Sequence, residues 1–159
     1  MAKPLPNEDR QRLQTLAEFR YTLRQFLQFS EQRAEQAGLH PQQHQLLLHL
    51  AGAPDDVETT VTYAAERLGL RHHTVVELSN RCVDAGLIFR KQAALDRRRV
   101  LLQVTPKGQR ILQALSDDHE RELYELVPRM VRALTTIRNS HRLNAGEEAS
   151  PAATKGNSK

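Results

Sequence analysis

From Asp9 to about Ala37, apolar residues recur every three or four positions, at Leu13, Leu16, Phe19, Leu23, Phe26 and Leu27, with charged and polar residues between them. This spacing predicts one long amphipathic helix that Gly38 ends. "LHPQQHQLLLHLAGAP" restarts the pattern with Pro41 in a first-turn position, Leu46, Leu47 and Leu50 on one face, and a stop at Gly52 and Pro54. After the acidic linker "DDVETT", a third helix is predicted in "VTYAAERLGL", where Ala64, Ala65 and Leu68 face one way and Gly69 makes the turn. A fourth follows in "RHHTVVELSNRCVDAGL", with Val75, Leu78, Cys82 and Val83 inward and Gly86 as its end.

The period then changes. "IFRK" and "VLLQV" read as two short strands separated by the eight residues "QAALDRRR", a β-hairpin with its arginines in the loop and descending arm. "TPKG" offers Thr105 as an N-cap and Pro106 as the first residue of another helix. The apolar stripe of that helix is Ile111, Leu112, Leu115, Leu123, Leu126, Val127, Met130, Val131 and Leu134, and Pro128 is expected to kink or split it. From about Asn144 the chain has nothing to bury, and 144–159 is expected to be a disordered tail. The predicted fold class is mainly α with a small β-hairpin.

Two short helices joined by a Gly-containing turn form a helix-turn-helix when their apolar positions allow a steep crossing. Ala64, Ala65, Leu68, Gly69, Leu70, Val75 and Leu78 supply that set within 15 residues. Charge sharpens the reading. The window 71–110 holds nine basic and three acidic residues, whereas the whole chain carries a net charge of only +4. All the surplus positive charge therefore sits where a polyanion would dock. Aromatics at 4% and no Trp favour a helix-rich soluble chain over a β-sandwich. No apolar run reaches the roughly 18 residues of a membrane span, and the N-terminus lacks the apolar centre of a secretory signal, so the expected location is the cytoplasm. Cys82 is the only cysteine, which rules out an internal disulfide or a multi-cysteine zinc site.

If the fourth helix enters a major groove, the side chains opposite its apolar face meet base edges and phosphates: His72, His73, Thr74, Val76, Glu77, Asn80 and Arg81. Asn80 is placed to pair with adenine and Val76 to touch a thymine methyl, while residues near the helix start approach phosphates. Glu77 either accepts from a cytosine amino group or pairs with Arg81, four residues on. His72 and His73 read equally as solvent-exposed residues at a helix start. The hairpin loop would reach the adjacent minor groove, with Asp96 bonding the loop backbone or a guanidinium and Arg97, Arg98 and Arg99 split between that groove and flanking phosphates.

With these residues in place, "GLIFR" (residues 86–90), "DRRRVLLQVTPKG" (residues 96–108) and "AAERLGL" with the helix after it resemble the multiple-antibiotic-resistance-regulator (MarR-type) winged-helix transcription factors, over residues 9–143. The resemblance implies a winged helix-turn-helix at about 41–105, flanked by dimerisation helices at about 9–37 and 106–141. It implies that Asp96 orients the wing and Arg98 is the minor-groove arginine. It also implies a homodimer on palindromic double-stranded DNA, acting as a ligand-responsive repressor. The two long apolar stripes support the dimer independently, since a small winged-helix core is too little to cover them. Arg20, Tyr21, Arg24, His40 and His44 lie where family members bind small aromatic or anionic effectors.

Other readings compete. An enzyme would need a nucleophile and base set, a phosphate loop or a metal spacing, and no recognisable version occurs. His40 and His44 share a helix face but lack a convincing third ligand, so neither a metal nor another cofactor is expected. Cys82 falls on the packed face of its helix, away from where oxidation sensors of the resembled family carry a reactive thiol. A winged helix that binds protein rather than DNA is the remaining alternative, and the basic excess weighs against it.

Overall fold

The computed structural model describes residues 6–93, 96 and 98–148, with side chains as far as Asn139. In chain order the elements are α1 (Asn7–Gln36), α2 (Pro41–Ala51), α3 (Val61–Leu68), α4 (His72–Asp84), β1 (Ile88–Gln92), β2 (Val100–Val104) and α5 (Pro106–Glu148). The chain divides into two compact units, Gln28–Glu122 and the pair of segments Met1–Leu27 and Leu123–Lys159. Helix α5 runs through Pro128 without being split, and the expected tail needs correcting, because the helix continues to Glu148, five residues into it. A proline removes one N–H donor and leaves the flanking turns able to continue the ladder. Residues 149–159 lie outside the described residues.

Local chemistry accounts for the elements of the larger unit. His40 N-caps α2: its Nδ1 accepts from the Gln42 N–H at 3.3 Å, and the Gln43 side chain accepts from the His40 N–H at 2.9 Å. Thr60 caps α3 by accepting from the Tyr63 N–H at 3.2 Å. Gly69 ends α3 at φ 63°, a left-handed conformation that costs a residue with a Cβ about 1–2 kcal/mol. The Tyr63 hydroxyl donates to the His49 carbonyl at 3.2 Å and ties α3 to α2. Leu46, Leu47, Ala64, Val75, Leu78, Cys82, Ile88 and Leu102 close into one buried core, joined by Ala34 of α1 and by Leu112 and Leu115 of α5. Each large aliphatic side chain buried there contributes about 1.5–3 kcal/mol.

The hairpin is antiparallel, with register Ile88↔Val104 through Gln92↔Val100. Its far edge is not open. Leu102 N–H donates to the Thr59 carbonyl at 2.8 Å, the Thr59 hydroxyl donates to the Leu102 carbonyl at 2.8 Å, and Thr60 bridges Leu101. The stretch read only as an acidic linker thus clasps β2 from the other side, in keeping with its β-branched Val57, Thr59 and Thr60.

Thr105 joins the wing to α5. Its N–H donates to the Leu87 carbonyl at 2.9 Å, and its hydroxyl donates to the Gly86 carbonyl at 2.7 Å while accepting from the Gly108 N–H at 3.1 Å. Gly108 is buried against this junction, where an added Cβ would collide with the Leu87 carbonyl oxygen and sit 2.8 Å from Val104 Cγ1. The motif needs glycine because backbone meets backbone. We expect Gly108→Ala to lower stability by about 1–3 kcal/mol through overpacking, read as a fall in the urea midpoint at unchanged slope. An unchanged midpoint would show that the junction yields freely.

Candidate nucleic-acid interface

Helix α4 has two chemically distinct sides. Val75, Leu78, Ser79 and Cys82 are buried. Burial pushes the Cys82 thiol up to about 11, so it stays protonated and unreactive near neutral pH. On the other side His72, His73, Glu77, Asn80 and Arg81 are exposed, with Thr74 and Val76 half-buried. This is the face expected from the sequence. Arg71 is the N-cap residue but makes no side-chain cap, so the first-turn N–H groups take no acceptor from it. Among the described residues no ion pair joins Glu77 to Arg81, and the carboxylate stands exposed in a basic surrounding.

In the wing, Asp96 Oδ1 accepts from the Arg98 N–H at 2.9 Å, and the Asp96 carbonyl accepts from the Arg99 N–H at 3.0 Å. An aspartate bonding the backbone two residues on is a side-chain-built turn, and it fixes the loop with Arg98 exposed. Arg97 lies outside the described residues. Arg99, exposed as well, has its Nη1 2.5 Å from Glu58 Oε2. That pair ties the descending arm to the segment that clasps β2, and Arg98 enters no ion pair among the described residues.

Arg90 escaped the sequence reading. Its Nη2 donates to Asn80 Oδ1 at 2.5 Å, linking β1 to the exposed face of α4. The signal lay in strand alternation, because Arg90 shares a strand face with buried Ile88.

The residues expected to meet an effector fall in different units. Arg20, Tyr21 and Arg24 belong to Met1–Leu27, whereas His40 and His44 belong to Gln28–Glu122. All three on α1 are exposed. The Tyr21 hydroxyl accepts from Gln25 Nε2 at 3.2 Å, and the Arg129 guanidinium lies 5.6 Å from the Tyr21 ring centroid while pairing with Glu18 at 2.6 Å. His40 uses Nδ1 in its helix cap. His44 is buried and stacks on His119, with centroids 5.0 Å apart and planes 15° apart, while Phe29 meets His119 edge-on at 5.9 Å. Burial, and then the neighbouring His119, lower His44 to about 4. It is therefore neutral at pH 7 and packed within its unit. Beside it Arg33 pairs with Asp118 and, through that hydrogen bond first, holds its carboxyl below the usual range.

A helix pair joined by the Gly69 turn, an outward polar helix face and a clasped hairpin with a cationic tip are now in place, and residues 37–99 match the model of the MarR family. Over those residues the chain is similar to the MarR family. Solved structures agree in fold. A MarR family transcription regulator, SP03579, superposes with TM-score 0.67 at 20% identity, covering 94% of this chain and 97% of that one. AbsC, a MarR family transcriptional regulator from Streptomyces coelicolor, gives TM-score 0.65 at 16% identity, covering 92% and 97%. MepR of Staphylococcus aureus, in a complex with DNA, gives TM-score 0.56 at 25% identity, covering 77% and 96%. Among curated proteins, no sequence matches the chain. No described helix is long and apolar enough to cross a membrane.

The buried His44 makes stability depend on acid. Its pKa falls from 6.5 to about 4 on folding, so the unfolded chain takes up the proton first. The favourable contribution is complete above the unfolded value and is lost as pH falls from about 6.5 towards 4. Between pH 7 and pH 5 we expect a loss of roughly 1–2 kcal/mol in urea unfolding, and a smaller loss in His44→Leu. Equal losses in both proteins would assign the acid sensitivity elsewhere.

Proposed function

We propose that this chain is a sequence-specific DNA-binding transcriptional regulator that works as a homodimer on a palindromic operator, as a repressor released by a small aromatic or anionic effector. The observation that carries the DNA-binding reading is the pairing of α4 with the wing. The outward face of α4 carries His73, Glu77, Asn80 and Arg81, and Asp96 fixes the loop that presents Arg98. α4 supplies side chains for a major groove. Arg98 supplies a guanidinium for the adjacent minor groove, where narrow A·T-rich stretches concentrate negative potential. Thr74 and Val76, at the edge of the exposed face, are assigned contacts with thymine methyls or sugar-phosphate, and His72 and His73 with phosphates. The MepR–DNA complex among the similar structures supports the same direction.

The dimer reading rests on the unit formed by Met1–Leu27 and Leu123–Lys159. There Leu13, Leu16, Leu23 and Leu27 of α1, and Tyr124, Val127, Val131 and Leu134 of α5, remain substantially exposed, Tyr124 at 78%. Eight large apolar side chains on two helices exceed the scattered exposure of an ordinary monomer surface, and a second copy of the same faces is the natural cover. Two recognition helices related by a two-fold axis would meet half-sites about one helical turn, ~34–36 Å, apart. Effector response is assigned to the exposed cations Arg20 and Arg24 beside Tyr21 on α1.

Arg98→Ala should weaken operator binding by about 1–3 kcal/mol and reduce preference for A·T-rich flanks, measured by titration at several salt concentrations. Unchanged affinity at moderate salt would remove the wing from the interface, and a salt-independent wild type would favour a protein-binding winged helix instead. The double variant Leu16→Glu and Val131→Glu should sediment as a folded monomer with operator affinity reduced at least about tenfold, because two half-sites no longer bind as one. A variant that stays dimeric would place the interface on another face.

A further inference from the structure

We infer that Arg90 is a specificity-determining positioning residue: by holding the Asn80 carboxamide oxygen, it turns the amide nitrogen towards the DNA and makes Asn80 discriminate against cytosine. The inference rests on the DNA-binding reading above and deepens it.

A free asparagine amide presents an acceptor and a donor, and a half-turn about its last torsion exchanges them. Such a side chain at a groove adapts to several bases. At Asn80 the exchange is opposed. The only groups an arginine presents are donors, so the amide atom 2.5 Å from Arg90 Nη2 has to be oxygen. Flipping the amide would bring its N–H groups against a guanidinium, donor against donor and beside a full positive charge. The bond is charge-assisted, which makes it stronger than one between neutral groups.

Arg90 is itself held in place. It is the central residue of β1, paired in register with Leu102, and Leu102 is clasped on its far side by Thr59. The guanidinium therefore reaches α4 from a strand whose one partner, β2, is itself bonded on its other edge. Asn80, for its part, is exposed on the face that also carries Glu77 and His73, one and two turns earlier.

The chemical consequence concerns what each base offers in the major groove. Guanine presents two acceptors, adenine one acceptor and one donor, thymine one acceptor, and cytosine only its amino donor. With the oxygen engaged by Arg90, the outward N–H groups of Asn80 find an acceptor on the first three and meet another donor on cytosine. Glu77 supplies the opposite polarity on the same face. The helix thus carries one oriented donor and, at Glu77, a carboxylate that accepts.

The test is a binding titration of wild type, Arg90→Met, Asn80→Ala and the double variant against operator duplexes that differ only at the base pair read by residue 80. That pair is first located as the position where Asn80→Ala relaxes a randomised-site selection. Methionine keeps a long stem at an exposed position, and thermal melts confirm that each variant is folded. Wild type is expected to bind the cytosine duplex about fivefold to tenfold more weakly than the best base. Arg90→Met should shrink that difference to within about twofold, and should change it no further once Asn80 is alanine. The inference is overturned if Arg90→Met weakens all duplexes alike and leaves the cytosine penalty intact, since the guanidinium would then be a phosphate contact. It is equally overturned if the effect of Arg90→Met persists in the Asn80→Ala background. Failure of the wild type to bind any duplex at low salt is a separate result and sinks the DNA-binding reading itself.

Discussion

The central strand of the winged unit is β2, and the bonds on its two edges set the position of every functional group near it. One edge pairs with β1 and the other takes the backbone of Thr59 and Thr60. A two-stranded hairpin alone is marginal in water, and the added edge supplies the missing support. From that strand the chain reaches Arg99 at one end and Thr105 at the other, so the loop with Arg98 and the start of α5 are both tied to a buried centre at Leu102. Precision at the tip comes from the base. An arginine on an unsupported hairpin would lose more conformational freedom on meeting a groove, and affinity would fall by that entropy.

The same support explains a division of labour among the basic residues. Arg99 pairs with Glu58 and Arg90 with Asn80, both inside the winged unit, and the Lys107 ammonium donates to the Ala85 carbonyl at the end of α4 at 2.8 Å. These cations shape the surface. The Arg99–Glu58 ion pair is exposed and contributes about 1 kcal/mol or less to stability, so the main effect of these contacts is geometric: they decide which neighbouring group faces outward.

Much of this was legible in the sequence because it rests on local rules. Period 3.6 gave the helices, Gly69 the tight turn, period 2 the strands, and Asp96 the bond that fixes the loop. What escaped depends on contacts between segments distant in the chain. The role of Thr59 requires β2, 43 residues away, and the commitment of Arg99 to Glu58 requires the same clasp. The partner of Arg90 is set by which strand face meets α4. His44 illustrates a different limit: histidine at a helix start reads as polar and available, whereas the fold stacks it on His119, 75 residues later, and desolvation keeps it neutral. The extent of α5 beyond residue 143 was missed because small and acidic residues near a chain end carry little periodic signal, although Ala and Glu are good helix formers.

The remaining question is where uncompensated charge resides. Among the described residues, Arg71, Arg81 and Arg98 enter no ion pair, and they stand at the start of α4, in its last turn and at the wing tip. Arg81 gains a little from the negative end of the helix dipole, an effect of about 0.3–1 kcal/mol at an exposed site. Arg71 sits at the positive end, where the dipole opposes it. A fold under selection for stability alone has no use for a cation there. An approaching phosphate reverses the balance, since it would face Arg71, the free first-turn N–H groups and the dipole together. The local electrostatics are unfavourable in the isolated chain and favourable beside a polyanion, and that contrast, more than the net charge, is what sets this surface apart from a merely solvated one.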